Sequence, residues 1–246
     1  MQKGKLLTNM GKLERIDKII ASQGRYSRSE VRKLVAKQKI YLDGEPVRDP
    51  GTKADPESSL ISVDGEAVSV KKNVYLMLNK PAGYVSATED KNQPVVLELV
   101  PAEFSGRELF PMGRLDKDTT GLMVISDDGV MAHNILSPKK HVKKVYDVEL
   151  DVPATDEMVR RFAEGIELND GVCKAAGMEI TGEKAARVTL SEGRYHQIKR
   201  MFGCCGAKVV RLHRVAMGNL WLPEELLPGE CRELTERELR LLQERG

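Results

Sequence analysis

Nine residues near the middle of the chain, Gly113-Arg114-Leu115-Asp116-Lys117-Asp118-Thr119-Thr120-Gly121, place two carboxylates, two cations and two hydroxyls between two glycines. Such a stretch cannot be core. The apolar run Leu122-Met123-Val124-Ile125 follows at once, so the loop feeds a buried strand, a rigid support for a carboxylate acting as nucleophile or base. Composition alone does not separate it from an ordinary turn, and the rest of the chemistry-bearing residues decide the matter. No phosphate-binding glycine loop, dinucleotide fingerprint or HExxH zinc motif is present. His133, His141, His196 and His213 lack metal-ligand spacing, and His196, beside an apolar helix face, reads as a hydrogen-bonded structural group. Ser137 and Ser191 lack a nucleophile-elbow setting. Cys173, Cys204, Cys205 and Cys231 show no zinc spacing and read as reduced, buried thiols of a cytosolic protein. Any chemistry is therefore expected from carboxylates, tyrosines and cations, with no metal and no cofactor.

The elements that must position these groups follow from periodicity and punctuation. Ile16, Ile19 and Ile20 predict a helix ending at Gly24, and Ser27-Arg28-Ser29-Glu30 is a capping box opening a second helix with Val31, Leu34 and Val35 inward. Ile40-Tyr41-Leu42 before Asp43-Gly44, and Leu60 to Val63 before Asp64-Gly65, read as strands entering tight turns. Lys71-Lys72-Asn73 reads as a linker. Strands are then expected at 74–78, 122–126, 143–150, 186–190 and 209–212, with a short helix at 94–100 and another ending by Pro138. Alternation in the third of these strands turns Tyr146, Val148 and Leu150 to the apolar side. Thr155 caps a helix through Phe162, and Ile198, Met201, Phe202 and Cys205 give one face of a helix stopped by Gly206. A second capping box, Thr235 to Glu238, opens a final helix that docks Leu239 and Leu242.

The chain of 246 residues is 41% hydrophobic and 31% charged, the balance of a water-soluble globular protein. No apolar run reaches signal-peptide or bilayer length, so secretion and membrane insertion are not expected. The net charge of +2 conceals an asymmetry: residues 1–39 carry eleven Lys and Arg against three Asp and Glu. A basic segment on a mildly acidic body suggests a polyanion-binding module joined to something else.

The N-terminal segment resembles the S4 RNA-binding domain through Arg15-Ile16-Asp17-Lys18, Ser27-Arg28 and Ile40 to Val47, although Gln38 stands where that family usually has a turn glycine. From about Arg15 onward the chain resembles the pseudouridine synthases of the RsuA branch. The resemblance is carried by Gly113 to Asp116 with Thr119 to Leu122, by Lys144-Val145-Tyr146, and by His196 to Arg200; Ser191 to Phe202 looks especially like the small-subunit rRNA enzyme. It implies an α+β protein. A flexible basic lead (1–10) and an S4-like α/β module (11–70) would precede a catalytic domain (71–246) built on a mostly antiparallel mixed sheet. Asp116 would be the catalytic carboxylate, either attacking covalently or taking a ribose proton, with Asp118 left on the loop surface. Lys199, where many relatives have arginine, would keep Asp116 ionised. Tyr146 would stack on the uracil and could remove the C5 proton, Ile198 would wall the pocket, and Arg114 would bind RNA near the extruded nucleotide. Arg15, Lys18, Arg28, Arg32 and Lys33 would contact RNA phosphates, giving affinity with little base specificity.

The resemblance further implies a cytoplasmic monomer acting on ribosomal RNA within an assembling small-subunit particle, with no membrane and no small-molecule cofactor. Three alternatives remain open at this level. The same chemistry could act on 23S rRNA, the body could be an inert scaffold in an assembly factor, or Asp116 and Asp118 could serve a glycosidase.

Overall fold

The computed structural model describes residues 13–137 and 142–244. The expected basic lead at 1–10, the helix stop at Pro138, and His141 lie outside them. The chain forms two units, Met1–Asn73 with Pro101–Glu108 and Val74–Val100 with Leu109–Gly246.

In the first unit, α1 (Ile16–Ser22) and α2 (Arg28–Ala36) pack over a small antiparallel sheet of β1 (Ile40–Leu42), β2 (Glu45–Pro46), β3 (Ile61–Val63) and β4 (Glu66–Ala67), in the order β2-β1-β3-β4. Ile16, Ile19, Ile20, Val31, Val35, Ile40, Ile61 and Val63 form one buried cluster, which is the face the helical and strand periodicities specify. The capping box of α2 is formed in full, with the Ser27 hydroxyl accepting from the Glu30 amide and the Glu30 carboxylate accepting from the Ser27 amide. Gln38 has φ +53°, so the turn keeps the left-handed geometry that glycine favours, at a modest steric cost. Pro101–Glu108, assigned by sequence to the second domain, clusters with this unit. The reason is close backbone approach: a Cβ on Gly106 would fall 2.6 Å from the Gly24 Cα. Arg107 secures the segment by donating to Gln23 Oε1 at 2.9 Å and to the Lys71 carbonyl at 2.6 Å.

The second unit is built on a nine-stranded sheet. In chain order its strands are β5 (Tyr75–Lys80), β6 (Phe110–Pro111), β7 (Thr120–Ser126), β8 (Lys144–Leu150), β9 (Gly177–Gly182), β10 (Ala185–Leu190), β11 (Val209–Met217), β12 (Leu220–Trp221) and β13 (Cys231–Glu233). The main path runs β9-β10-β8-β11-β7-β5-β13, with β12 on β11 and β6 on β7. Every pairing is antiparallel except β11 with β7, which is parallel where His213 meets Thr120 and Arg214 meets Gly121. Leu122 to Ile125 are fully buried, as a continuous apolar run in a central strand covered on both faces should be. β8 alternates instead, burying Tyr146, Val148 and Leu150.

Helices α3 (Gly129–Leu136) and α6 (Glu236–Gln243) contribute Met131, Ile135 and Leu242 to a cluster with Met77, Leu122, Val124 and Met217. Elsewhere α4 (Asp156–Glu164) and α5 (Gln197–Cys204) meet through Phe162 and Phe202, whose rings are 4.7 Å apart. The caps expected at Thr155 for α4 and Thr235 for α6 are formed, and Asp128 caps α3 by accepting from the Met131 amide. The strand expected at 209–212 continues to Met217, and the expected helix near 94–100 is a single 3-10 turn, Val96–Leu99. Of the four cysteines Cys173 is buried as expected, whereas Cys205 and Cys231 are half-buried and Cys204, on the last turn of α5, is exposed. Among the described residues no helix is long and apolar enough to cross a membrane.

Candidate active site

The loop Gly113 to Gly121 is held from three directions. From the end of β5, the fully buried Lys80 donates to the carbonyls of Pro81 at 3.1 Å, Lys117 at 3.2 Å and Thr119 at 2.8 Å. Burial pulls this ammonium down to about 8, while Asp118 and Asp116 oppose the fall. On a second side, the Ser86 hydroxyl donates to the Leu115 carbonyl at 2.8 Å and accepts from the Leu115 amide at 3.0 Å. The third support is β11. Thr120 Oγ1 lies 2.8 Å from His213 Nδ1, and burial holds this imidazole below its ordinary value. Gly121, at φ +103°, runs so close to β11 that a Cβ would sit 2.2 Å from the Arg214 carbonyl oxygen. No side chain fits there, which fixes the loop against the strand.

Asp116 projects from this frame with about a quarter of its side chain exposed. Lys199 Nζ lies 3.1 Å from Asp116 Oδ2 and 2.6 Å from Asp118 Oδ1. Burial lowers the Lys199 ammonium, but hydrogen bonds to the two carboxylates outweigh that and leave it above its ordinary value; the same contact holds Asp118 below its own. Asp118 is thus more than the loop-surface residue expected. It is 73% exposed, yet it takes the shorter contact with Lys199, because the amine reaches both acids across the turn.

His196 is the second correction. Instead of a structural hydrogen-bonding role, its Nε2 stands 3.4 Å from Asp116 Oδ1 and its ring stacks on Tyr195 at 3.8 Å between centroids. Its backbone is left-handed, with φ +47°, at the N-cap of α5 and without a side-chain cap bond. A non-glycine residue in that conformation costs on the order of 1 kcal/mol, strain typical of functional sites. The sequence signal was adjacency to Gln197-Ile198-Lys199. Alternating roles hid it, since three neighbours serve the frame. Arg194 donates to the carbonyls of Asp170, Gly171 and Val172, Gln197 bridges the Arg194 amide and Glu192, and Arg200 forks onto Asp170.

Arg114, Asp116, Tyr146 and Ile198 line one cleft of about 750 Å³, together with Lys144, His196, Leu190 and Arg214. Lys199 meets Asp116 at its edge. Tyr146 is 8% and Ile198 4% exposed, so they offer buried walls, whereas Arg114 is exposed at the mouth. The chemistry this permits is a carboxylate flanked by an ammonium and an imidazole, facing an aromatic and an aliphatic wall suited to a planar ring. Among the described residues no cluster of three or more His, Cys, Asp or Glu is placed to hold a metal ion.

Residues 74–203 match the family model for RNA pseudouridylate synthase, and residues 14–60 match the S4 domain. The chain belongs to the RNA pseudouridylate synthase family. It is 43% identical to an uncharacterized RNA pseudouridine synthase of Bacillus subtilis, YtzG, over 94% of this chain and 98% of that protein. With the ribosomal small subunit pseudouridine synthase A of Escherichia coli it shares 41% identity, over 92% of this chain and 98% of the relative. A crystal structure of a pseudouridylate synthase superposes with a TM-score of 0.66 at 38% identity, covering 93% of this chain and 99% of that one. An S4 domain thus precedes a pseudouridine synthase domain with a mostly antiparallel sheet, and the protein is an RNA-modifying isomerase. In the S4 domain Arg15, Lys18, Arg28, Arg32 and Lys33 are all exposed. Arg15 is forked onto the buried Asp17 through two 3.0 Å bonds, Arg32 approaches the same carboxylate at 4.0 Å, and Lys18 pairs with Glu14 at 2.7 Å.

Proposed function

We propose that the protein isomerises one uridine of small-subunit (16S) ribosomal RNA to pseudouridine, in the cytoplasm and on an assembling particle. The observation that carries the substrate is the 41% identity, spread over nearly the full length of both chains, with the Escherichia coli small-subunit enzyme. The reaction breaks the bond from ribose C1′ to uracil N1, turns the ring and rejoins it through C5. The base must first leave its stack, at a cost of a few kcal/mol. Exposed cations of the S4 domain offset that cost by binding phosphates, and Arg114 at the mouth of the cleft engages RNA beside the extruded nucleotide.

Asp116 is then the reacting carboxylate, attacking C1′ or removing a ribose proton. The Lys199 ammonium, 3.1 Å from Asp116 Oδ2, holds in place the carboxylate that either role uses. Tyr146 stacks on the ring and takes the C5 proton after rejoining, while Ile198 closes the apolar wall. The heavy atoms of the uracil all stay in the cleft, the proton lost at C5 is matched by one gained at N1, and no net oxidation occurs, so no electron carrier is required. Pseudouridine maps of 16S and 23S rRNA from cells with and without the gene test the substrate. Loss of one 16S position is expected, and loss confined to 23S overturns the assignment.

A further inference from the structure

The inner end of the cleft holds polar groups without the partners that burial ordinarily demands. Thr119 is 1% exposed and Arg214 is 1% exposed, and neither Thr119 Oγ1 nor Arg214 Nη2 has a hydrogen-bond partner among the described residues. The Arg214 guanidinium is anchored only by Nε, which donates to the Leu122 carbonyl at 2.7 Å. Above it stands Lys144, whose Nζ donates to the Val142 carbonyl at 3.1 Å. Burial, and then repulsion from Arg214, pull the Lys144 ammonium down to about 8.

Strand geometry puts these groups on one surface. Tyr146 lies opposite Arg214 in the β8–β11 ladder, and Lys144, two residues before Tyr146, points to the same side, facing Leu190 of β10. All four line the cleft. A stacking ring, two cations and an unsatisfied hydroxyl form a floor rich in donors and poor in acceptors. Such a floor is costly in the empty protein and becomes favourable once an acceptor-rich, electron-rich ring lies on it.

Uracil becomes such a ring during the reaction assigned above, and the inference rests on that assignment. When the C1′–N1 bond breaks, its electron pair stays on the base, spreading negative charge over N1, O2 and O4. The charge is discharged when C5 bonds to C1′, the C5 proton leaves and N1 gains one. We propose that the Lys144 ammonium contacts a carbonyl oxygen of the detached uracil and, with Arg214 fixed beneath it, holds the negative charge of the ring while it turns. Lys144 is on this account a catalytic residue, and Arg214 a positioning residue that supplies field from below. The interaction strengthens only as charge develops, so it acts on the rate and leaves RNA affinity alone.

The experiment uses the full chain with complete 16S transcript, measuring single-turnover pseudouridine formation and, separately, RNA dissociation constants for wild type, Lys144→Gln and Lys144→Arg. Removing one preorganised donor of this kind typically slows the chemical step about 10²- to 10³-fold. That loss is expected for Lys144→Gln, with RNA affinity within about twofold of wild type. Lys144→Arg, which keeps the charge, is expected to recover most of the rate and also shows that the position tolerates substitution. Wild-type rates in Lys144→Gln, a defect carried wholly by RNA affinity, or an Arg variant as slow as the Gln variant would overturn the proposal. A wild-type protein that forms no pseudouridine in 16S or 23S RNA would instead remove the assignment on which it rests.

Discussion

The S4 domain and the synthase domain both depend on cations, and they use them in opposite ways. In the S4 domain Arg15, Lys18, Arg28, Arg32 and Lys33 stand in solvent, where each is screened and worth little alone. Their effect on RNA is a sum in which no single cation decides, although Arg15 also pairs the buried Asp17. In the synthase domain Lys80 and Arg214 are withdrawn from water and Lys144 is half-buried, each tied to specific carbonyls. There a single cation fixes a backbone or a charge that nothing else in reach can fix. The abundance of basic residues in a segment therefore measures its attraction for RNA, while the burial of one lysine measures its hold on geometry.

That contrast is most exposed to test at Asp116, on the loop whose backbone Lys80 holds. Asp116→Asn should lower single-turnover pseudouridine formation by about 10⁴-fold, with RNA affinity in a filter-binding titration essentially unchanged. A large affinity loss would mean that the cleft, and not only the S4 domain, captures RNA. Next in size is Lys80→Met, which leaves the carbonyls of Pro81, Lys117 and Thr119 without their donor. A displacement of the loop by about 1 Å should slow turnover on the order of 10²-fold, again without weakening RNA binding.

An ion pair of intermediate exposure should give an intermediate result. Glu238, 19% exposed, accepts from Arg232 at 2.7 and 2.9 Å and from the Thr235 amide at 2.8 Å. The Arg232 guanidinium is the main cause holding its carboxyl down at about 2, against an ordinary 4.5. Its stabilisation is fully present above pH 4.5 and is lost as pH falls through about 2, because the unfolded chain takes up the proton first. Glu238→Gln should cost about 1 kcal/mol at pH 7 after allowance for solvent screening, a melting-temperature drop of about 2–4 °C. The gap to wild type should narrow as the pH is lowered from 4.5 toward 2. Smallest of all, Lys33→Ala should weaken RNA binding only a few-fold, reduce the slope of log affinity against log salt by about one, and leave the chemical step untouched.

Much of this architecture was legible from residue order. The helix caps at Ser27, Thr155 and Thr235, the buried strand after the Asp116 loop, and the inward Tyr146 all follow from local pattern. What escaped was set by long-range burial of polar groups. Strand β11 seemed to end at Leu212 because His213 and Arg214 break the apolar pattern, and nothing local says that an arginine 1% exposed can continue a central strand. Lys80 was hidden similarly, at the end of a strand beside a turn. Strand β9, Gly-Met-Glu-Ile-Thr-Gly, is a mostly exposed edge whose sequence carries little apolar signal. His196 was misread because side chains on either side of it serve the frame, and only the left-handed turn at α5 separates its role from theirs.

The parallel contact between Thr120-Gly121 and His213-Arg214 also sets when the enzyme can exist. Thr120 and His213 are 93 residues apart, so this junction closes one of the longer loops in the protein and, like other pairings of high contact order, should form late. A growing polypeptide displays the S4 domain, and then the Asp116 loop, well before β11 is available to receive it. For that interval the nascent chain can hold RNA but has no floor on which to turn a base. Catalytic competence is thereby deferred until β11 has been made and has paired with the loop.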